Sequence, residues 1–187
     1  MILRDLGKTG LRVGEIGLGT EHLGRTSKAK ELIVKVVDKA VDKGVNYFDL
    51  IFNFKEYLEN YGVAFKDRRD KLILACHLGS AVRNGQYFKT RSIGIIEKVF
   101  TDTLTGLGTD YVDIANITYV KNMKEYVAVT RPGSVLDFAN RLKKGGKIRH
   151  IGISTHEASV VQTAAKSGKF EVIQYQINMA NNALPRR

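Results

Sequence analysis

Four histidines and one cysteine among 187 residues leave few groups able to move a proton near neutral pH. Asp49 and His77 stand out, because each lies at the end of a short apolar run. A histidine with a carboxylate partner is a general acid–base pair that titrates in the physiological range. A carboxylate such as Asp49 also needs a partner wherever it is buried. The competing reading of His77 is a packed, hydrogen-bonded histidine without chemistry. His22, Asp49, His77 and His156 could be read together as a His/Asp metal set, but their separation matches no ligand spacing. No metal is expected. His150 opens an apolar run and reads as structural. Cys76 reads as a buried, inert thiol, and one cysteine builds neither a disulfide nor a zinc or iron–sulfur site. Gly14, Gly17, Gly19 and Gly24 resemble a phosphate-binding loop only loosely. The next helix is expected from about Lys28, so no helix N-terminus would meet a pyrophosphate. These glycines read instead as close packing at a strand end.

The elements that must position these residues form a strand–helix repeat. Short, strongly apolar runs at 15–18, 45–50, 71–76, 111–117, 150–154 and 171–177 have the character of strands buried on both faces. Between them lie helical stripes. One runs from Leu32 to Val41 and stops at Gly44, a second from Ile95 to Leu104 begins near Ser92, and a third from Val135 to Leu142 closes at Gly145-Gly146. A fourth covers Val160 to Ala165, with Ser154-Thr155-His156-Glu157 expected as its capping box. Leu58, Tyr61 and Phe65 make a weaker stripe. Residues 2–13, with Gly7-Lys8-Thr9-Gly10 at their centre, predict a hairpin ahead of the repeat. Strands separated by helices imply parallel pairing and right-handed crossovers, which fits either a doubly wound sheet or a (β/α) barrel.

Longer blocks decide between them by resemblance. Residues 4–13 (RDLGKTGLRV), 16–20 (IGLGT), 44–49 (GVNYFD), 68–74 (RRDKLIL), 109–113 (TDYVD), 146–154 (GKIRHIGIS) and 174–178 (QYQIN) resemble, in order, the aldo-keto reductase family. The resemblance implies an α/β fold, a TIM-type (β/α)8 barrel that is incomplete here, with about six βα units after an N-terminal β-hairpin. It implies reversible hydride transfer between NADPH and a carbonyl, with NADP or NAD as cofactor. The family's proton donor is a tyrosine tuned by a lysine, an aspartate and a histidine. Asp49 carries over as the aspartate, whereas Phe54, His77 and Thr118 stand where the tyrosine, lysine and histidine belong. Tyr57, Tyr61, Tyr87 and Tyr119 lie nearby without matching the donor's position. On the cofactor side the resemblance places Thr20, Ser154 and Gln174, with Thr155 in place of an asparagine. Residues 75–80 (ACHLGS), 85–87 (GQY) and 90–91 (TR) look like a branch whose members carry a cysteine-rich, iron–sulfur-binding extension. The expectation is a carbonyl reductase using His77 with Asp49 as a non-standard donor. The alternative is a catalytically impaired barrel, a nucleotide-binding redox sensor or regulatory protein.

Charge and length set the remaining expectations. Thirty Lys and Arg against 19 Asp and Glu give a net charge of +11, but the basic residues are scattered and accompany no nucleic-acid motif. Nucleic acid is therefore not the expected partner, and a small-molecule carbonyl substrate is. The N-terminus lacks a signal-peptide pattern and no apolar stretch approaches the ~20 residues of a membrane span, so a cytoplasmic, membrane-free protein is expected. Residues 1–187 read as a single partial barrel that stops after its sixth strand, as the retained part of a longer protein or a fragment completed by another chain. The open sheet edges would then favour self-association.

Overall fold

The computed structural model describes residues 1–23 and 30–178. Gly24, the expected helix start at Lys28 and residues 181–187 lie outside the described residues. The chain opens with an antiparallel hairpin, β1 (Leu3–Asp5) and β2 (Arg12–Gly14), as its turn sequence predicts. The hairpin's Leu6, Leu11 and Val13 pack against Ile73, Ala75, Ile114 and Val172, forming an apolar floor.

Six strands follow as a curled parallel sheet: β3 (Leu18–Gly19), β4 (Tyr47–Leu50), β5 (Ile73–Leu78), β8 (Val112–Ile117), β9 (Ile148–Thr155) and β10 (Val172–Tyr175). Their order, β3-β4-β5-β8-β9-β10, follows the chain, and among the described residues the sheet ends at β3 and β10. This is an incomplete TIM-type barrel. Its crossover helices are α1 (Lys30–Asp42), α2 (Lys55–Phe65), α3 (Ile93–Leu107), α5 (Val135–Lys144) and α6 (Ala158–Ser167). Alternation sorts the side chains. Phe48, Leu50, Leu74, Leu78, Ile117 and Ile153 are buried in the layer between sheet and helices, each worth ~1.5–3 kcal/mol of burial. Residues of the opposite parity turn to the barrel interior. Ile33 and Val37, on the predicted stripe of α1, are fully buried, and Gly44 takes φ +88° where that helix must turn back.

Several expectations need correction. The capping box does not form: Ser154 and Thr155 remain in β9, and α6 starts after Glu157 without a side-chain cap. A strand that ends at Thr155 keeps both hydroxyls for other partners. Gly14 and Gly17 do sit in close packing, since a Cβ would lie 2.5 Å from Met1 Sδ and 2.9 Å from the Tyr47 ring, but Gly19 faces open space. Two elements lacked any expectation. One is α4 (Met123–Thr130), where the Asn122 side chain accepts from Glu125 N–H at 2.9 Å and Glu125 accepts from Lys121 N–H at 2.9 Å. The other is a hairpin, β6 (Ser80–Arg83) and β7 (Gln86–Lys89), which continues from β5 and turns at Asn84 and Gly85, both at positive φ.

Candidate active site

The C-terminal ends of the strands carry the polar residues, while the floor beneath them is apolar. Period-two alternation selects which residues reach that interior face, and their types set the gradient along it. Tyr47 and Asp49 share a face of β4, Ile73, Ala75 and His77 share one of β5, and Ile114, Asn116 and Thr118 share one of β8 and its end. Each strand therefore begins apolar and ends polar on its interior face.

These residues form one continuous hydrogen-bonded chain. His77 Nε2–H donates to Asp49 Oδ1 at 2.8 Å, because an ionised carboxylate can only accept. Nδ1 of the same ring lies 2.9 Å from Thr118 Oγ1, and Thr118 Oγ1 lies 3.2 Å from Ser154 Oγ. The second oxygen of Asp49 accepts from Gln174 Nε2 at 2.7 Å. Gln174 Oε1 in turn accepts from Asn116 Nδ2 at 3.0 Å. The charge on Asp49 orients both amides and turns Asn116 Oδ1 away, so that this buried oxygen has no hydrogen-bond partner among the described residues. Gly152 makes room for it, since a Cβ there would lie 2.0 Å from Asn116 Oδ1. Burial raises the Asp49 carboxyl, but the His77 hydrogen bond and charge, together with Gln174, outweigh it and hold the group below the usual carboxylate range.

Above this network opens a cleft of about 610 Å³. His77, Thr118, Ser154 and Gln174 line it from below, and Phe52, Tyr87, Tyr119 and His156 give it an aromatic wall. The Tyr119 and His156 rings meet edge to face at 4.8 Å, and Tyr87 meets Phe52 at 5.9 Å. Lys89 and Arg91 both reach Glu125, at 2.8 and 3.0 Å, and both donate to Tyr119 O. This clamp fastens the β6–β7 hairpin to the loop that carries Thr118 and Tyr119.

The site residues expected from the sequence fall into two groups. Asp49, His77, Ser154 and Gln174 come together in the chain just described. Thr20 and Thr155 do not, because both hydroxyls are committed elsewhere. Thr20 is fully buried, donates to Asp49 O at 2.6 Å and is hydrogen-bonded to Tyr57. Thr155 donates to Val120 O at 2.6 Å and accepts from Glu157 N–H at 3.0 Å. Tyr57 and Tyr61 are buried under α2, where loss of water pushes the Tyr61 hydroxyl up to about 12 and that of Tyr57 higher. Phe54 packs on Phe52 at 5.4 Å and offers no proton. Burial, aided by Asp49, likewise pushes the Cys76 thiol up to about 12 and keeps it inert. His156 lines the cleft, whereas His22 is exposed and outside its lining. Among the described residues no group of three or more His, Cys, Asp or Glu side chains is placed to hold a metal ion. Asn116 and Gly152 were not anticipated. A polar residue between Ile114 and Thr118 on one strand face was the available signal for Asn116.

Comparison with known proteins agrees with this architecture. The aldo/keto reductase family model matches residues 15–186. An uncharacterized oxidoreductase, YqkF, of Bacillus subtilis (strain 168) is 30% identical over 94% of this chain and 56% of its own length. An L-glyceraldehyde 3-phosphate reductase of Escherichia coli (strain K12) is 28% identical over 87% of this chain and 47% of its own. Among solved structures, the holo form of an aldo-keto reductase from Bacillus halodurans superposes with a TM-score of 0.77 at 27% identity, covering 95% of this chain and 58% of that one. The chain spans about half the length of the curated relatives it matches. With the family model covering most of its length and the strand order of an incomplete TIM-type barrel in place, the chain belongs to the aldo/keto reductase family.

Proposed function

We propose that this chain supplies the acid–base half of an NAD(P)H-dependent carbonyl reduction, with His77 as the proton source and Asp49 as its partner. The observation that carries the reading is the 2.8 Å contact between His77 Nε2 and Asp49 Oδ1 at the base of the cleft. Asp49 is held below the usual carboxylate range, and its oxygen fixes the orientation of the His77 ring. The substrate class is a small carbonyl compound, in keeping with the reductase names of the relatives.

The residues present fit a nicotinamide carboxamide. Gln174 spends one amide hydrogen on Asp49 and one lone pair on Asn116, which leaves one of each. Ser154 adds a hydroxyl at the cleft. Ser154 and Gln174 would therefore hold the ring, while Thr20 and Thr155 would shape its bed through packing. Reduced nicotinamide supplies hydride when bound. The chain's own residues orient the carbonyl, exclude water with the aromatic wall and deliver the proton.

The second reading, a nucleotide-binding redox sensor or regulatory barrel without turnover, is favoured by Phe54, a hydrocarbon at the donor's usual position. A cytoplasmic setting and self-association through β3 and β10 belong to either reading. Titrating NADPH and NADH into the full chain by fluorescence, followed by an aldehyde panel, separates the two. Binding with turnover that His77→Ala abolishes supports the reductase. Binding without turnover supports the sensor, and no binding at millimolar cofactor sinks both.

A further inference from the structure

We propose that the proton leaves His77 through Thr118 and reaches the substrate from Ser154, so that Ser154 is the catalytic donor and Thr118 a relay. The inference rests on the reading of His77 as proton source and explains how a ring with both nitrogens engaged could serve. Nε2 is held by Asp49 and Nδ1 by Thr118, so neither nitrogen is free for a substrate. His77 and Thr118 are also largely withdrawn from solvent, with Thr118 only 1% exposed. The chain continues to Ser154, whose hydroxyl lines the cleft; its oxygen would accept from the carboxamide N–H, which leaves its one hydrogen for the substrate.

The hydrogen count gives the relay two settings. With His77 neutral, Nε2–H points at Asp49 and Nδ1 accepts from Thr118. Thr118 then accepts from Ser154, and the Ser154 proton faces inward. With His77 charged, Nδ1–H donates to Thr118, Thr118 donates to Ser154, and the Ser154 proton is free to face the cleft. The protonation state of a buried ring thus sets whether the cleft meets an acceptor or a donor. Reduced nicotinamide, when bound, would supply the carbonyl carbon with a hydride and its two electrons. The new alkoxide oxygen takes the Ser154 proton, Ser154 takes that of Thr118, and Thr118 takes that of His77 Nδ1. His77 ends neutral with its Nε2–H still on Asp49, and one proton from solvent resets the chain. Asp49 is the charged group in contact with His77, and Glu21, Tyr87, Tyr119, His156 and Tyr175 are the other titratable groups lining the cleft.

The test has a readout that needs no turnover. In the full chain labelled with 15N-histidine and free of cofactor, Thr118→Val should move the His77 Nδ1 resonance toward that of an unbonded nitrogen. Ser154→Ala should move it less, in the same direction, because hydrogen bonds in a chain polarise one another. An Nδ1 signal indifferent to Ser154→Ala at every pH overturns the relay. With cofactor and aldehyde, Thr118→Val should lower kcat by about 100-fold with cofactor affinity unchanged, and Thr118→Ser should restore it. Wild-type kcat in Thr118→Val alongside a dead His77→Ala overturns the relay and leaves the His77 reading standing. Wild-type kcat in His77→Ala overturns that reading itself.

Discussion

Two carboxylates at opposite ends of the strands, one buried and one half-buried, are answered in opposite ways. Near the N-terminal ends of the strands, Asp113 is 1% exposed and accepts from Arg69 at 2.8 Å, Arg149 at 2.9 Å and Leu74 N–H at 3.0 Å. Both guanidinium groups stack on Tyr111, each 4.1 Å from the ring centre. At the other end, Asp49 is 19% exposed and meets one histidine and one neutral amide. Arginine keeps its charge at any working pH, so the Asp113 cluster has a single state. Histidine does not, so the Asp49 network has two. The difference teaches where this fold spends permanent charge and where it keeps a proton that can move.

Breaking each end should have a different signature. The largest effect is expected from His77→Ala, which should lower carbonyl turnover by ~10²–10⁴-fold per folded molecule, read from steady-state kinetics beside a denaturation curve that registers the loss of its contacts with Asp49 and Thr118. Asp113→Ala should do the reverse. It should cost about 3 kcal/mol in urea unfolding, the low end for breaking a buried pair, because Arg149 is 52% exposed and can reach water. Turnover loss exceeding the loss of folded protein would show that the two ends are not separate. Gly152→Ala should cost ~1–3 kcal/mol by driving a methyl group into Asn116, and it should disturb the Gln174–Asp49 contact as well. That would make it the one substitution that weakens both stability and the site.

The pH response sharpens the comparison further. The folded pKa of Asp49 lies below its usual 3.8, so its stabilising contribution is complete above that value and is lost as pH falls through the lowered one. Wild type should therefore lose stability more steeply below pH 3.8 than Asp49→Asn, while Glu125 and Glu171, also held low, contribute equally to both proteins. Identical acid unfolding curves would remove Asp49 from the account. The smallest effect belongs to the exposed Lys98–Asp102 pair on α3. Lys98→Ala should change stability by about 0.3–0.5 kcal/mol and leave turnover alone, which sets the baseline for the rest.

The repeat was legible because its helices are striped and its strands continuously apolar. The expected third strand, 71–76, is displaced by two residues from β5, Ile73–Leu78. A two-residue shift preserves the faces, so the interior placement of His77 was unaffected. Less was visible where signals were short. Asn84-Gly85 between two four-residue strands is a strong hairpin signal, and Asn122 with Glu125 three residues on is a helix-start signal. Both went unread because their flanks carry little apolar periodicity. Ser154 to Glu157 carried the same spacing and formed no cap, because parallel pairing with β10 extends β9 through Thr155.

Sequence alone therefore determined most of the element order, the family resemblance and the polar residues that stand near the strand ends. Local periodicity and composition suffice for that, since each signal spans only a few residues. The tertiary structure decided which of those side chains meet. Residues as far apart as Asp49 and Gln174, 125 positions in sequence, share a hydrogen bond only because the sheet curls and brings their strand ends together. Thr118, 41 positions from His77 and 36 from Ser154, is hydrogen-bonded to both. No spacing rule contains that distance, because it is set by strand register and barrel curvature.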